Sequence, residues 1–103
     1  MGYRSDVYIK IDKSLESEFV ERFSENWSDY WQADSDSEYC YYKIEHVKWY
    51  DSFPDVAELS KWIMEQQDLA GAIIIGEDYY TEEIGSPSDV GMYKNMIVEG
   101  FIL

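Results

Sequence analysis

The sequence has one cysteine, one histidine, two prolines and only eight basic residues among 103. Each scarcity excludes something. With Cys40 alone, no internal disulfide forms and no cysteine zinc site can be built, which fits a reducing cytosol. His46 is the only histidine, and a general base needs a nucleophile or an orienting carboxylate beside it. Glu45 is adjacent, so on a strand it points to the opposite face, and the expectation is a structural or exposed histidine. Cys40 and His46 stand six residues apart on one expected strand, about 20 Å at strand rise, so they form no dyad. The glycines are scattered and make no phosphate-cradling loop. No apolar run reaches about 18 residues, so no membrane-spanning helix is expected. The opening Met1-Gly2-Tyr3-Arg4-Ser5-Asp6 lacks the apolar core of a signal peptide, and Asp6 stands where a myristoylation motif wants Ser or Thr. Few bases also mean no basic patch, so direct binding to nucleic acid or anionic lipid is opposed by repulsion.

What is present is acid and aromatic together. There are 22 Asp and Glu, ten Tyr, four Trp and four Phe, for a net charge of −14. Disordered acidic tails have few aromatics, whereas this chain can bury a core and still project a negative field. One domain spanning 1–103 is expected, long enough to hide somewhat under about two thirds of its unfolded surface. The charge is uneven. Glu16 to Glu38 carries eight acids and one base, and Phe53 to Val90 carries nine acids and one base. The remaining stretches hold five acids and six bases. Solubility alone accounts for many acidic surfaces, but two acidic blocks between near-neutral strands are patterned.

Hydrophobic spacing predicts the elements. Tyr3 to Asp12 alternates, with Val7, Ile9 and Ile11 on one face, as in a half-buried strand. Ser14 is placed to cap a helix whose stripe is Leu15, Phe19, Phe23 and Trp27, widened by Val20, Tyr30 and Trp31. Gln32 to Glu38 reads as a polar loop. Tyr39 to Tyr50 reads as a long strand, but its parity slips from Tyr42 and Ile44 to Val47 and Trp49, so a bulge is expected near Glu45-His46. Ser52, Pro54 and Asp55 open a second helix with Val56, Leu59 and Ile63 inward, and Gly71 follows it. Ala72 to Ile75 is a wholly apolar central strand. Gly76 to Gly91 reads as a long acidic loop, and Met92 to Leu103 as a last strand. The order β-α-β-α-β-β suggests an α+β fold: a two-layer, four-stranded mixed sheet with two helices on one face.

Two acidic clusters invite chemistry. Asp34, Asp36 and Glu38 resemble the start of a calcium loop with Glu45 as twelfth ligand, but Tyr39 occupies the position that needs glycine. A solvated acidic loop is the simpler reading, and no metal is expected. Glu77, Asp78, Glu82 and Glu83 gather beyond a central strand, where α/β sheets place ligands. Sugar hydrolysis needs a deeper cleft than this chain offers. With Phe19, Phe23 and Trp49 assigned to the core, Tyr79, Tyr80, Trp62 and Tyr30 are left beside acid.

The segments Met1-Gly2-Tyr3-Arg4-Ser5-Asp6-Val7, Val47-Lys48-Trp49-Tyr50-Asp51-Ser52-Phe53-Pro54-Asp55-Val56 and Ile75-Gly76-Glu77-Asp78-Tyr79 resemble, in this order, a family of small uncharacterised tailed-bacteriophage proteins. The resemblance spans most of the chain, implies an origin rather than an activity, and places the protein in the host-cell cytoplasm. Small acidic phage proteins as a class resemble inhibitors of host nucleic-acid enzymes and of CRISPR or restriction systems. Duplex DNA carries one charge per about 1.7 Å of axis, and rows of carboxylates present a similar field to a Lys- and Arg-lined groove. Glu16, Glu18, Glu21, Glu25 and Asp29 would lie along roughly 20 Å of helix.

The leading expectation is therefore a non-enzymatic protein, without cofactor, that binds and inhibits a basic, nucleic-acid-binding host or defence protein, with nucleic-acid mimicry as one route. Its expected contact residues are Glu77, Asp78, Tyr79, Tyr80, Glu82 and Glu83, then Glu21, Glu25 and Asp29. A second expectation is a pocket near Gly76 for a small ligand or nucleotide derivative. A third is a hydrolase using carboxylates and His46.

Overall fold

The computed structural model describes residues 4–78 and 80–92. It is α+β, with two helices on one face of a five-stranded sheet. The strands are β1 (Ser5–Asp12), β2 (Trp31–Ser35), β3 (Tyr39–Val47), β4 (Ala70–Gly76) and β5 (Thr81–Gly85), and the helices are α1 (Glu16–Trp27) and α2 (Pro54–Glu65). Across the sheet the order is β2-β3-β1-β4-β5, and every neighbouring pair is antiparallel. The expected four-stranded mixed sheet is thus corrected in strand number, order and direction. Two segments read as loops contain the edge strands β2 and β5. The strand expected over Met92 to Leu103 falls outside the described residues except for Met92.

The central strands form for the expected reason. Val7, Ile9 and Ile11 alternate onto the helix-covered face and meet Cys40, Tyr42 and Ile44 of β3 and Ala70, Ala72 and Ile74 of β4. Onto them pack Phe19, Phe23 and Trp27 of α1 and Val56, Leu59, Trp62 and Ile63 of α2. Phe19 is the hub, with its ring 4.4 Å from Tyr42, 5.3 Å from Trp62 and 5.4 Å from Trp31. Full burial of side chains this size contributes about 1.5–3 kcal/mol each. On the opposite face Tyr8, Ile73, Val90 and Met92 form a smaller cluster, below a 3-10 turn over Pro87–Val90. Gly71 of β4 allows that turn to sit close, since a Cβ there would stand 2.5 Å from the Pro87 nitrogen.

The bulge falls where the parity slip put it. Between Ser5–Val47 and Val7–Ile44, β1 advances two residues while β3 advances three. His46 takes up the extra residue with φ 57°, in the left-handed region, and its backbone N–H donates to Asp6 Oδ1 at 2.8 Å.

Several boundaries differ from expectation. α1 ends at Trp27, and Trp31 belongs to β2, although its ring still reaches Phe19. β3 stops at Val47. Asp12, not Ser14, is the cap: its Oδ2 accepts from the Ser14 N–H and hydroxyl, at 3.0 and 2.6 Å, ahead of a 3-10 turn that leads into α1. α2 starts from Phe53, without a side-chain cap, so Ser52 does not play that part. After α2 the chain turns at Gln67, with φ 58°, and Gly71 lies inside β4.

Candidate interaction surfaces

The expected contact residues fall on two flanks of the sheet. Phe19 sets α1 over β2 and β3, whereas α2 adjoins β4 and β5. Four strand spacings separate β2 from β5, about 19 Å, so these carboxylates do not form one surface.

On the β4–β5 flank the acids are tied to backbone. Glu77 Oε1 accepts from the Arg4 backbone N–H at 2.6 Å. Asp78 Oδ1 accepts from the Tyr80 N–H at 3.1 Å, inside the turn closed by Gly76 N–H to Tyr80 O. These carboxylates build the β4–β5 connection. Glu82 and Glu83 are exposed on β5 but face opposite ways. Glu82 pairs with Ile74, on the helix side, and Glu83 pairs with Ile73, on the far side. Tyr80 is 67% exposed, and Tyr79 lies outside the described residues. Two recesses border Gly76, one of about 170 Å³ beside Trp49 and Tyr80 and one of about 200 Å³ beside Arg4 and His46. Both fall below the roughly 300–1,000 Å³ of small-molecule sites.

On the α1 flank the pattern differs. The helix buries Phe19, Phe23 and Trp27, and the 100° step per residue puts Glu21 and Glu25 on the opposite, outward side. Neither takes part in the ion pairs or side-chain hydrogen bonds among the described residues, which on this helix engage Glu18, Arg22 and Asn26. Asp29 lies in the turn after the helix, exposed beside Tyr30, which is 61% exposed. The expected helical row therefore ends at Glu25. Glu18 faces α2, where its Oε2 accepts from the Trp62 indole N–H at 2.6 Å. Trp62 is accordingly core, 1% exposed, and not a surface aromatic.

The calcium-like segment is a hairpin. Asp36 Oδ1 accepts from the Glu38 and Tyr39 N–H groups, both at 2.7 Å, and its Oδ2 accepts from the Tyr41 hydroxyl at 2.6 Å. The Tyr41 bond, then the two backbone bonds, hold the Asp36 carboxyl down at about 2. No group of three or more His, Cys, Asp or Glu able to hold a metal occurs among the described residues.

Of the chemical candidates, His46 and Glu77 line one small recess by Gly76, and Cys40 does not. Cys40 is buried in the core, and desolvation, with Glu16 adding to it, pushes its thiol up to about 11. Such a thiol carries negligible thiolate at neutral pH. His46 is exposed on the bulge, and Asp6 bonds its backbone rather than its ring. Glu77, in the same recess, accepts from the Arg4 backbone N–H.

No family model, curated protein or solved structure matches the chain. What fold and surface define is a small α+β domain with an aromatic core and two acidic flanks, one of which ties two of its acids, Glu77 and Asp78, to backbone while Glu82 and Glu83 stay exposed.

Proposed function

We propose that the protein is a non-enzymatic acidic binding protein of phage origin, which engages a basic, nucleic-acid-binding host or defence protein in the host cytoplasm and blocks it. The observation that carries this reading is the α1 flank. Among the described residues Glu21 and Glu25 lie outward and take part in no ion pair or side-chain hydrogen bond, and Asp29 stands beside the exposed Tyr30. Carboxylates that hold no turn or neighbouring helix are available to a partner's cations. Their field speeds encounter, and an exposed tyrosine supplies close-range contact. On the far flank Glu82 and Glu83 offer further exposed carboxylates, on opposite faces of β5, after the exposed Tyr80.

The experiment is capture by the tagged protein from host lysate at low and high salt, followed by a nucleic-acid-binding assay on whatever is retained. Exposed charges are screened beyond about 8 Å at physiological ionic strength. Retention should fall as salt rises, and the protein should displace nucleic acid from the captured partner. Capture indifferent to salt, or a partner that still binds nucleic acid normally, overturns the proposal.

A further inference from the structure

At the bulged end of the sheet, an open groove of about 600 Å³ runs between the C-terminal end of α1, the bulge of β3 and the start of α2. Unlike the recesses by Gly76, it lies within the size range of small-molecule sites, about 300–1,000 Å³. Its lining departs from the acidic excess of the rest of the molecule, because Arg4 and Lys48 balance Glu45 and Asp55 there. A chain of net charge −14 brings Arg4, Lys48 and its only histidine, His46, into the lining of one groove. Two carboxylates, Glu45 and Asp55, also line it, but both are engaged. Glu45 Oε2 is 3.6 Å from Lys43 Nζ and its Oε1 accepts from Gln32 at 3.3 Å, while Asp55 Oδ1 accepts from Asn26 at 3.4 Å. The cations are not matched in this way. Arg4 makes one long side-chain bond, Nη1 to the His46 carbonyl oxygen at 3.5 Å, and among the described residues no ion pair or side-chain hydrogen bond engages Lys48 or the His46 ring.

Two further features favour an anion with a flat body. The groove takes in the start of α2, which has no side-chain cap. There the Asp55 and Val56 N–H groups precede the first helical bond, Ala57 N–H to Phe53 O at 3.0 Å, and carry the positive end of the helix dipole. Aromatic side chains line the groove as well. Trp27 lies at the floor, 7% exposed, and Tyr30 and Phe53 stand at 61% and 41% exposure. Exposed rings of this kind stack on planar ligands.

We infer that this groove binds a small organic anion with a planar ring, of the class of nucleoside monophosphates, with Arg4, Lys48 and the start of α2 taking the phosphate and Tyr30 and Phe53 taking the ring. A long polyanion is repelled by the surrounding carboxylates. A single phosphate within hydrogen-bond reach responds mainly to local groups, because more distant exposed charges are screened. The site shares Tyr30 with the acidic α1 flank and does not include Glu21, Glu25 or Asp29.

Calorimetric titration of the intact chain with AMP, GMP, CMP, UMP, adenosine and inorganic phosphate tests this. At least one monophosphate should bind, and adenosine and phosphate should each bind at least tenfold more weakly. Arg4→Gln with Lys48→Gln should weaken monophosphate binding by at least about tenfold, the loss of one hydrogen bond to a charged group. Phe53→Ala, at an exposed position, should weaken it without affecting the phosphate contacts, and an unchanged tryptophan emission spectrum verifies the fold of each variant. Absence of binding by all four monophosphates overturns the inference. So does binding that survives both sets of substitutions, or binding equalled by phosphate alone.

Discussion

The two acidic flanks have similar composition and different employment. Beside β5, Glu77 and Asp78 accept backbone N–H groups and shape the connection that places the edge strand. On α1, Glu21 and Glu25 lie outward and engage none of the described residues through an ion pair or side-chain hydrogen bond. Carboxylate density therefore does not by itself mark a contact surface. What marks it is carboxylates left over once the fold's own donors are satisfied. By that measure Glu82 and Glu83 of β5 stand with Glu21 and Glu25 of α1, and Glu77 and Asp78 stand apart from them.

Both edge strands also show an ordinary use for acid. The exposed rims of β2 and β5 carry Asp34 and Glu82-Glu83. Like charges there oppose edge-to-edge pairing of two copies. Part of the −14 charge is accounted for by that role, and it does not extend to Glu21, Glu25 and Asp29, which lie off the sheet edges.

The comparison can be broken most forcefully on the packed flank. Gly71→Ala forces a methyl group onto the Pro87 backbone, which a flexible side chain cannot relieve. It should destabilise the fold by about 1–3 kcal/mol or more, read as the urea midpoint. A wild-type midpoint would mean that the Pro87 turn is not held against β4. Next, Glu21→Gln, Glu25→Gln and Asp29→Asn together should slow association with the captured basic partner by about tenfold or more at low salt. Glu82→Gln with Glu83→Gln should slow it less, and the opposite ranking would return the contact to the strand end.

A smaller contrast lies within α1 itself. Glu18→Ala removes the acceptor of the Trp62 indole and should cost about 1 kcal/mol, moderated by the exposure of Glu18. Glu21→Ala should stay within about 0.5 kcal/mol. Equal effects in thermal denaturation would erase the distinction between engaged and unengaged acids.

The least of these effects is tied to acid pH. The Asp36 carboxyl sits at about 2, below its ordinary 3.8, because it accepts from Tyr41 and two backbone groups. A lowered folded-state value means stabilisation that is present above about 3.8 and lost as pH falls toward 2. Unfolding midpoints of the wild type and Asp36→Asn should therefore converge between pH 4 and 2. A gap that stays constant over that range would show that the hairpin does not draw on the ionised carboxylate.

Much of the fold was legible where burial imposes a period. The β1 alternation, the Phe19-Phe23-Trp27 and Val56-Leu59-Ile63 stripes and the bulge announced by the parity of Ile44 against Val47 all follow from one-sided burial. The edge strands were not legible, because Trp31–Ser35 and Thr81–Gly85 are largely exposed and carry little alternation. Trp31 also fitted the helical spacing after Trp27, since it reaches the same core from a strand. Of the candidate residues, sequence named the outward acids of α1 but could not tell them from acids bonded to backbone 73 positions away, as Glu77 is to Arg4. The groove was invisible for the same reason: Arg4, His46, Lys48 and Phe53 meet only after β1, the bulge and α2 assemble.

The most direct test of the central claim is displacement of labelled nucleic acid from the captured basic protein by the wild type and by the Glu21→Gln, Glu25→Gln, Asp29→Asn variant at low and high salt. The account predicts displacement by the wild type that weakens with salt, and at least tenfold weaker displacement by the variant. Equal displacement by both proteins, unchanged by salt, would contradict it.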